Sequence, residues 1–306
     1  MQAIMIDQFG GTEQLKMQTV ATPELKPNQV LVHTKSVSVN PIDCKIRSGA
    51  FKKFKLPAIL GFDVAGTITA VGADVTDYQV GDAVFAETAK SSTYAEEVAV
   101  NVKDLAKKPN EITFNEAAAL PMASLTAWQA VIDTIQIRPG EKLFINGGAG
   151  GVGQMAIQFA HNAGAYVATT ASKTNAALLE SLGADEVIDY HTDDFRNRLF
   201  DYDAVLDLIG GVSLVTSYQI LKPGGRLVSL VGKPDANLAK KYEINASHFS
   251  SHTDGKLLGE IGDQVVKGRV RVTISKIFEF SQAGVVAAQT LSESGHADGK
   301  IVIQFA

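Results

Sequence analysis

A glycine-rich run, Asn146-Gly-Gly-Ala-Gly-Gly-Val-Gly153, constrains the fold of this chain more than any other feature. It follows an apolar strand predicted at residues 143–145 and opens a helix predicted from residue 151. Glycines in a G-x-G-x-x-G pattern permit a tight turn, close approach of the backbone to a pyrophosphate and close helix packing. The run therefore predicts a dinucleotide site, although a flexible loop would have the same composition. The predicted phosphate-binding residues are Gly148, Ala149, Gly150, Gly151, Val152 and Gly153.

Apolar segments and helical segments alternate around this run. The predicted strands are residues 142–145, 165–170, 186–188, 204–208, 226–231 and 243–249. The predicted helices are residues 151–163, 174–182 and 212–220, and residues 222–225 indicate a break before the fifth strand. Alternation at this spacing predicts right-handed βαβ units and a doubly wound parallel sheet, so the fold class is α/β.

The two ends of the chain have a different pattern, with short β segments separated by glycine and proline. The predicted elements there are strands at 29–37, 65–71, 82–86 and 93–100, helices at 41–48 and 255–266, and β-like runs at 270–274 and 300–305. Predicted helices at residues 115–120 and 124–135 lie where the pattern of short β segments gives way to the alternation of strands and helices. We therefore expect a split β-rich domain of residues 1–120 plus 254–306, with a second domain of residues 121–253 inserted into it.

The end of the second predicted strand indicates which dinucleotide binds. An NAD site usually carries a carboxylate there for the ribose 2′-hydroxyl, whereas this chain has Ala171, Ser172 and Lys173. A hydroxyl and a cation suit a 2′-phosphate, so the predicted cofactor is NADPH. Alternatively, Ser172 caps the next helix and Lys173 is solvated. The segment 220–228 also resembles one found in adenosylmethionine-dependent methyltransferases, but the missing carboxylate disfavours that interpretation too.

Composition excludes several classes of function. The formal charge is −5, so no general basic field would attract nucleic acid or an anionic membrane. The single cysteine, Cys44, excludes an internal disulfide and any site with several thiolates, and fits a reducing, cytoplasmic location. No stretch of about 20 apolar residues predicts a membrane span, and the first residues carry no signal-peptide pattern. Lys52, Lys53 and Lys55 are expected to form a solvated basic patch.

Several motifs in order along the chain resemble the medium-chain dehydrogenase/reductase superfamily, in its zinc-free quinone oxidoreductase branch. These motifs are residues 39–49 (VNPIDCKIRSG), 61–66 (GFDVAG), 70–72 (AVG), 80–84 (VGDAV), 149–153 (AGGVG) and 299–302 (GKIV). The resemblance covers essentially the whole chain. It implies a GroES-like β-rich domain, an inserted Rossmann domain and a homodimer.

The resemblance also implies the reaction. Zinc alcohol dehydrogenases of the superfamily carry Gly-His-Glu where this chain has Gly61-Phe62-Asp63, and a cysteine ligand roughly where it has Asn40. No metal site is therefore expected, and without a Lewis acid an already electrophilic acceptor is favoured. The implied activity is NADPH-dependent reduction of small-molecule quinones or α,β-unsaturated carbonyls. The alternatives are an alkenal or enoyl-thioester reductase and a non-catalytic NADPH-binding protein resembling the crystallins.

Further site residues follow from the resemblance. Asn40 is expected to donate to the substrate oxygen or to cap the helix after it, and Lys45 to contact a carbonyl or a phosphate or to be solvated. Cys44 is expected to be a packing residue whose pKa the neighbouring Lys45 and Arg47 could lower. The remaining expected cofactor contacts are Thr126, Tyr190 at the adenosine end, and Gly211, Val231 and Gly232 beside the nicotinamide.

Overall fold

The computed structural model describes residues 1–51 and 54–306. Lys52 and Lys53 of the predicted basic patch therefore lie outside the described residues. No helix within the described part of the chain is long and apolar enough to cross a membrane.

The chain divides into two compact units. The first, here called the terminal unit, comprises Met1–Leu125, Thr253–Gly268 and Val272–Ala306. The second, here called the central unit, comprises Thr126–His252 and Arg269–Arg271. The sequence predicts divisions after residues 120 and 253, and it gives no indication that the short segment Arg269–Arg271 joins the central unit.

The strands and helices have the following bounds. The strands are β1 Gln2–Ile6, β2 Lys16–Thr19, β3 Gln29–Val39, β4 Ala58–Ile59, β5 Asp63–Val71, β6 Ala83–Glu87, β7 Glu97–Asn101, β8 Leu105–Lys107, β9 Lys142–Asn146, β10 Tyr166–Ala171, β11 Glu186–Asp189, β12 Tyr202–Asp207, β13 Leu221–Ser229, β14 Asn245–His248, β15 Ile274–Glu279 and β16 Lys300–Gln304. The helices are α1 Pro41–Arg47, α2 Phe114–Ala119, α3 Pro121–Trp128, α4 Gly151–Asn162, α5 Ala176–Ser181, α6 Gly211–Ser217, α7 Ala236–Lys241, α8 Gly255–Val266 and α9 Gln282–Glu293. A π-helical segment, Gln129–Thr134, continues α3.

The terminal unit is built around β3, which pairs antiparallel with β5, β7 and β16. These strands bury aliphatic side chains on one face, as alternating patterns in antiparallel sheets do. Because β16 comes from the end of the chain, its pairing with β3 ties the two halves of the split unit together. The same pairing brings Lys300 close to the residues that follow β3. The core of the unit includes Val30, Val32, Val37, Val64, Val98 and Ile303.

The central unit carries a parallel sheet with the order β11-β10-β9-β12-β13-β14, six strands within the described residues. In order of sequence within the unit this is 3-2-1-4-5-6, the doubly wound arrangement of Rossmann folds. The strand order reverses between β9 and β12, and ligands of such sheets bind outside the carboxyl ends of the strands at that point. The glycine run follows β9 directly, so the topology places it at the expected ligand site.

Some predicted elements were wrong. The predicted break at residues 222–225 lies inside β13. The pairing of β13 with β12 shifts between Tyr202 and Ala204, so the extra residues form a bulge and do not end the strand. The β-like run at 270–274 is mostly irregular, and β15 begins where that run was expected to end. Helix α9 was not predicted, because its apolar residues are mainly small alanines and valines interrupted by glycine.

Candidate active site

The glycine run forms a close turn between β9 and α4. Gly147 has φ +97°, a conformation that favours glycine, and its N–H donates to Thr170 Oγ1 at 2.9 Å. A Cβ at Gly148 would lie 2.2 Å from Thr169 Oγ1, and one at Gly153 would lie 2.4 Å from the Gly147 carbonyl oxygen. Both glycines are therefore required by packing within the central unit itself.

Gly150 has a different environment from the other two. It precedes α4 with φ −74° and ψ 168°, and a Cβ there would meet nothing within 4 Å. No side chain caps α4 at this residue, so the N–H groups of its first turn point out of the helix without side-chain partners from the cap. Free N–H groups and the helix dipole favour an anion, and the open space beside Gly150 lets a pyrophosphate approach the backbone.

Asp207 organises the carboxyl ends of the neighbouring strands. This fully buried carboxylate accepts hydrogen bonds from Asn146 Nδ2 at 3.0 Å, from Ser229 Oγ at 2.7 Å and from the Gly210 N–H at 3.1 Å. These bonds fix the loops that lead into Gly211, Val231 and Gly232. Asp207 was not predicted as a site residue, although an acidic residue ending an apolar strand is a detectable signal of a polar contact at a sheet edge.

The predicted nicotinamide-side residues lie after β12 and β13. Gly211 has φ +60°, and a Cβ there would meet nothing within 4 Å, while Val231 is 41% exposed. The Gly232 N–H donates to Ser229 Oγ at 3.1 Å, which links this loop to Asp207. Exposed backbone and apolar surface beside the switch point of the sheet suit contact with a flat ring.

The adenosine-side residues lie at the ends of β10 and β11. Ser172 is half-buried, and its hydroxyl bonds to Thr174 Oγ1 at 2.9 Å and accepts from Asn175 Nδ2 at 3.2 Å. It precedes a short helical turn without capping it through its side chain, which weakens the capping alternative. Lys173 is exposed. Tyr190 is 53% exposed and its ring packs against His191 with centroids 4.2 Å apart.

Thr126 lies on α3 within the central unit and is almost fully buried. Its Oγ1 donates to Ser251 Oγ at 2.9 Å. One turn further on, Gln129 exchanges two hydrogen bonds with the backbone of His252, at 2.8 and 3.0 Å. Thr126 is therefore held by the segment that leaves β14, and its predicted contact with a cofactor would add to these bonds.

In the terminal unit, three side chains from distant parts of the sequence form a buried polar cluster. Asn40 precedes α1, Asp63 begins β5 and Lys300 begins β16, and their exposed fractions are 4%, 0% and 5%. Lys300 Nζ donates to Asn40 Oδ1 at 2.5 Å and lies 3.3 Å from Asp63 Oδ2. Asn40 Nδ2 donates to Asp63 Oδ2 at 2.8 Å. We call these residues the Asn40 cluster.

Two further carboxyl groups are buried close to this cluster. Asp43 Oδ2 accepts from the Asn40 N–H at 2.8 Å and from the Tyr94 hydroxyl at 2.9 Å, so Asp43 caps α1 from within. Burial raises the pKa of Asp43 to about 7 despite those hydrogen bonds. Glu87 lies opposite Asp63 across the β5–β6 pairing, and burial together with the charge of Asp63 raises the pKa of Glu87 to about 8.

The other predicted residues on α1 differ in how far they are buried. Lys45 is exposed on the outer face of the helix. Cys44 is buried, and its thiol lies 3.7 Å from the Gln289 carbonyl oxygen. Cys44 is thus a packing residue, as expected, and burial raises its pKa to about 11 because it outweighs the lowering effect of Arg47. Arg47 instead points into the unit, where Nε donates to Gln289 Oε1 at 2.7 Å.

The Asn40 cluster does not fit a catalytic zinc. Phe62 offers no lone pair, and the oxygens of Asn40 and Asp63 that could face a metal already accept from the Lys300 ammonium. Within residues 1–51 and 54–306, no group of three or more His, Cys, Asp or Glu side chains is arranged to hold a metal ion. The donor chemistry at this place is that of an ion pair with an amide.

A GroES-like unit and a Rossmann unit in one chain, with a glycine loop at the switch point, define a class of nucleotide-dependent dehydrogenases and reductases. Residues 26–118 match the family described as alcohol dehydrogenase GroES-like domain, and residues 182–303 match the zinc-binding dehydrogenase family. The chain belongs to the medium-chain dehydrogenase/reductase superfamily, in its zinc-independent quinone oxidoreductase branch.

Individual relatives are similar over nearly the whole chain. The NADPH-dependent alkenal/one oxidoreductase of Arabidopsis thaliana chloroplasts is 34% identical over 99% of this chain and 79% of its own. The quinone oxidoreductase from Coxiella burnetii has a TM-score of 0.93 and 37% identity, with 99% of each chain covered. The Escherichia coli quinone oxidoreductase complexed with NADPH has a TM-score of 0.92 and 25% identity, over 99% of this chain and 100% of its own.

Proposed function

We propose that this protein catalyses NADPH-dependent reduction of small-molecule quinones or α,β-unsaturated carbonyls. The observation that carries the proposal is the open N-terminus of helix α4 at Gly150, together with the residues that follow β10. These are Ser172 and Lys173, where an NAD site would usually have a carboxylate. The acceptor class is supported by the names of the relatives, which are an alkenal/one oxidoreductase and quinone oxidoreductases.

The central unit has the residues that would hold NADPH. Backbone N–H groups of residues 149–153 would bind the pyrophosphate, and Lys173 with Ser172 would bind the 2′-phosphate. Tyr190 would stack against the adenosine end. Thr126, Gly211, Val231 and Gly232 would line the nicotinamide side, where the Asp207 bonds keep the backbone in place.

The terminal unit contributes the polar groups for the acceptor. When bound, NADPH supplies two electrons and one proton as hydride to an electrophilic carbon of the acceptor, and water supplies the second proton. Negative charge then develops on the acceptor oxygen, and an N–H donor at that oxygen stabilises it. We assign this donor to the Asn40 amide, with Lys45 as an additional cation on the exposed face of α1. A conjugated acceptor needs no Lewis acid for this chemistry.

Parallel titration with NADPH and NADH, followed by nucleotide fluorescence, tests the cofactor assignment. Tight binding of NADPH with weaker binding of NADH is expected, and equal affinity would contradict the roles of Ser172 and Lys173. Turnover is then measured with a quinone, a 2-alkenal and an enoyl thioester at equal concentration. Binding without turnover on any acceptor would instead support a non-catalytic NADPH-binding protein.

We also propose a homodimer in the cytoplasm. The edge strand β14 pairs with β13, and among the described residues its other side carries no strand, so it can accept a strand from a second copy. The single cysteine is compatible with a reducing compartment. Light scattering of the purified protein tests the dimer, since a monomer mass across concentrations would contradict it, and fractionation of cells tests the location.

A further inference from the structure

Lys300 is a buried cation inside the Asn40 cluster. It is 5% exposed, and the residues that follow it in β16, Ile301 and Val302, are buried aliphatic side chains. Burial of an ion pair is frequently no more stabilising than apolar residues of similar volume. Stability of the unit therefore does not by itself explain a lysine here, and its contacts indicate what else it does.

The contacts of Lys300 fix the orientation of the Asn40 amide. An ammonium has only donors, so the Asn40 atom 2.5 Å from Lys300 Nζ must be the oxygen. A carboxylate has only acceptors, so the Asn40 atom 2.8 Å from Asp63 Oδ2 must be the nitrogen. Reversal of the amide would place two donors together and two acceptors together. The amide nitrogen keeps one N–H that these two partners do not use.

Asp63 is itself held in place by neighbouring donors. Its Oδ2 accepts from Ser38 Oγ at 2.5 Å, and its Oδ1 accepts from the Met122 N–H at 2.9 Å. The partner of the Asn40 nitrogen therefore cannot turn away. The charge of Lys300 on the amide oxygen also polarises the amide, which makes its remaining N–H a stronger donor.

We propose that Lys300 is a positioning residue that presents the free N–H of Asn40 to the oxygen of the acceptor. The proposal rests on the proposed function, in which Asn40 is the donor to that oxygen. Lys300 thereby takes over, as a fixed cation acting through an amide, the electrostatic role for which zinc relatives use a metal bound directly to the substrate. The ammonium acts on the orientation and polarity of Asn40 and does not itself contact the acceptor.

Two variants test the proposal. Lys300→Met removes the cation but leaves the Asp63 charge buried without its partner. That variant can therefore lose stability through the unpaired charge alone, independently of any effect on Asn40. The double variant Lys300→Met with Asp63→Asn removes both charges together. The introduced amide at position 63 can present an N–H toward Asn40, so the Asn40 amide loses both of the charged partners that fix its orientation. We expect kcat to fall about 100-fold, as for other losses of catalytic geometry.

The readouts separate positioning from folding. In the double variant we expect the NADPH dissociation constant and the quinone KM to stay close to those of the wild type, so that the loss is confined to kcat. Lys107→Met is the matched control, because Lys107 is 61% exposed and its Nζ is paired with Asp82 at 3.2 Å. That control should retain wild-type kcat.

Each outcome decides a different question. A folded double variant with wild-type kcat would overturn the role of Lys300 while the proposed function stands. A variant that loses kcat only in proportion to its loss of folded protein would overturn it as well. If the wild type binds NADPH but reduces none of the acceptors, the proposed function fails and the inference about Lys300 falls with it.

Discussion

The two units place their polar groups in opposite ways. In the central unit, most of the residues proposed to bind the cofactor are backbone glycines and exposed side chains, such as Gly150, Lys173 and Tyr190. In the terminal unit, the Asn40 cluster is nearly inaccessible to solvent, and each member is bonded to another. An open backbone can bind a charged ligand by its own N–H groups, whereas a buried cluster must balance its charges before any ligand arrives.

Because of this difference, the two sites should respond differently to substitution. The glycine loop should lose ligand binding through small steric changes with little change in electrostatics. The Asn40 cluster should respond to changes of charge and of pH, because burial amplifies electrostatic interactions. Substitutions in each unit therefore measure the difference between an open and a buried polar site.

The largest effect is expected within the glycine loop. Gly153→Ala would place a Cβ 2.4 Å from the backbone oxygen of Gly147, and neither backbone segment can easily move. We expect a loss of about 3 kcal/mol in unfolding free energy. Gly150→Ala has open space and an allowed conformation, so its stability should stay unchanged while NADPH binding weakens roughly 100-fold.

Thermal denaturation and nucleotide titration of both variants check this pair of outcomes. Gly259→Ala is the control. Gly259 lies in helix α8, far from the glycine loop in sequence, and a Cβ there would meet the Cβ of Ala106 at an ordinary distance of 3.8 Å. Loss of stability in Gly150→Ala, or unchanged NADPH affinity, would show that the loop does not work as an open anion site.

The sequence indicates the glycine loop of the central unit more directly than it indicates the Asn40 cluster of the terminal unit. The run 146–153 is a contiguous signal, and strand, loop and helix all follow in order. Asp63 and Lys300 lie within motifs that the resemblance rests on, yet nothing local marks them as partners, because 237 residues separate them. Pairing of β16 with β3 brings them together, and that pairing is a property of the whole fold.

Two elements of the fold also show that local sequence signals are predictable whereas features that depend on tertiary pairing are not. Helix α8 was predicted with its observed bounds, Gly255–Val266, because its apolar residues recur at helical spacing after a capping Asp254. The bulge in β13 was not predicted, because proline and two glycines normally end a strand. Pairing with β12 at Leu221 and again from Arg226, together with pairing with β14 from Arg226 onward, keeps the chain in the sheet on both sides of the interruption.

The next effect is a pH dependence of stability in the terminal unit. Burial raises the pKa of Glu87 from 4.5 to about 8, so the folded state binds this proton more tightly than the unfolded state. Stability from this group is therefore present at low pH and falls as pH rises from about 4.5 to 8. Glu87→Gln removes the titration, and we expect it to be more stable than the wild type by about 2 kcal/mol at about pH 9.

Chemical denaturation of both proteins from about pH 5 to about pH 9 measures this difference across the titration of the carboxyl group. The groups whose charges act on Glu87 are Asp63, Lys300 and Asp104, and all three remain in the variant. Asp43, whose pKa is also raised, titrates in both proteins and cancels in the comparison. Glu260→Gln, at an exposed position of α8, is the matched control for the replacement of a carboxyl group by an amide. Parallel curves for Glu87→Gln and the wild type would contradict the assignment.

A smaller effect should distinguish the two nicotinamide nucleotides. Lys173→Ala removes the cation expected at the 2′-phosphate, and a hydrogen bond to a charged group contributes about 1.5 kcal/mol or more. NADPH affinity should fall about tenfold, while NADH affinity should not change. Lys241→Ala, also an exposed lysine of the central unit, is the matched control. Equal weakening of both nucleotides would assign Lys173 to a general electrostatic role.

The smallest effect is expected at Lys45, and it tests whether an exposed charge contributes beside the buried cluster. Lys45 lies at the solvent face of α1, where water screens its charge, so its effect on an acceptor should be about 0.5 kcal/mol. Lys45→Ala should therefore lower kcat/KM roughly two- to threefold, with Lys45→Arg close to the wild type and NADPH affinity unchanged in both. Steady-state kinetics at low and high salt provides the check, because screening should remove the difference. A loss in Lys45→Ala as large as that of the Lys300 double variant would mean that the exposed cation, rather than the buried one, acts on the acceptor.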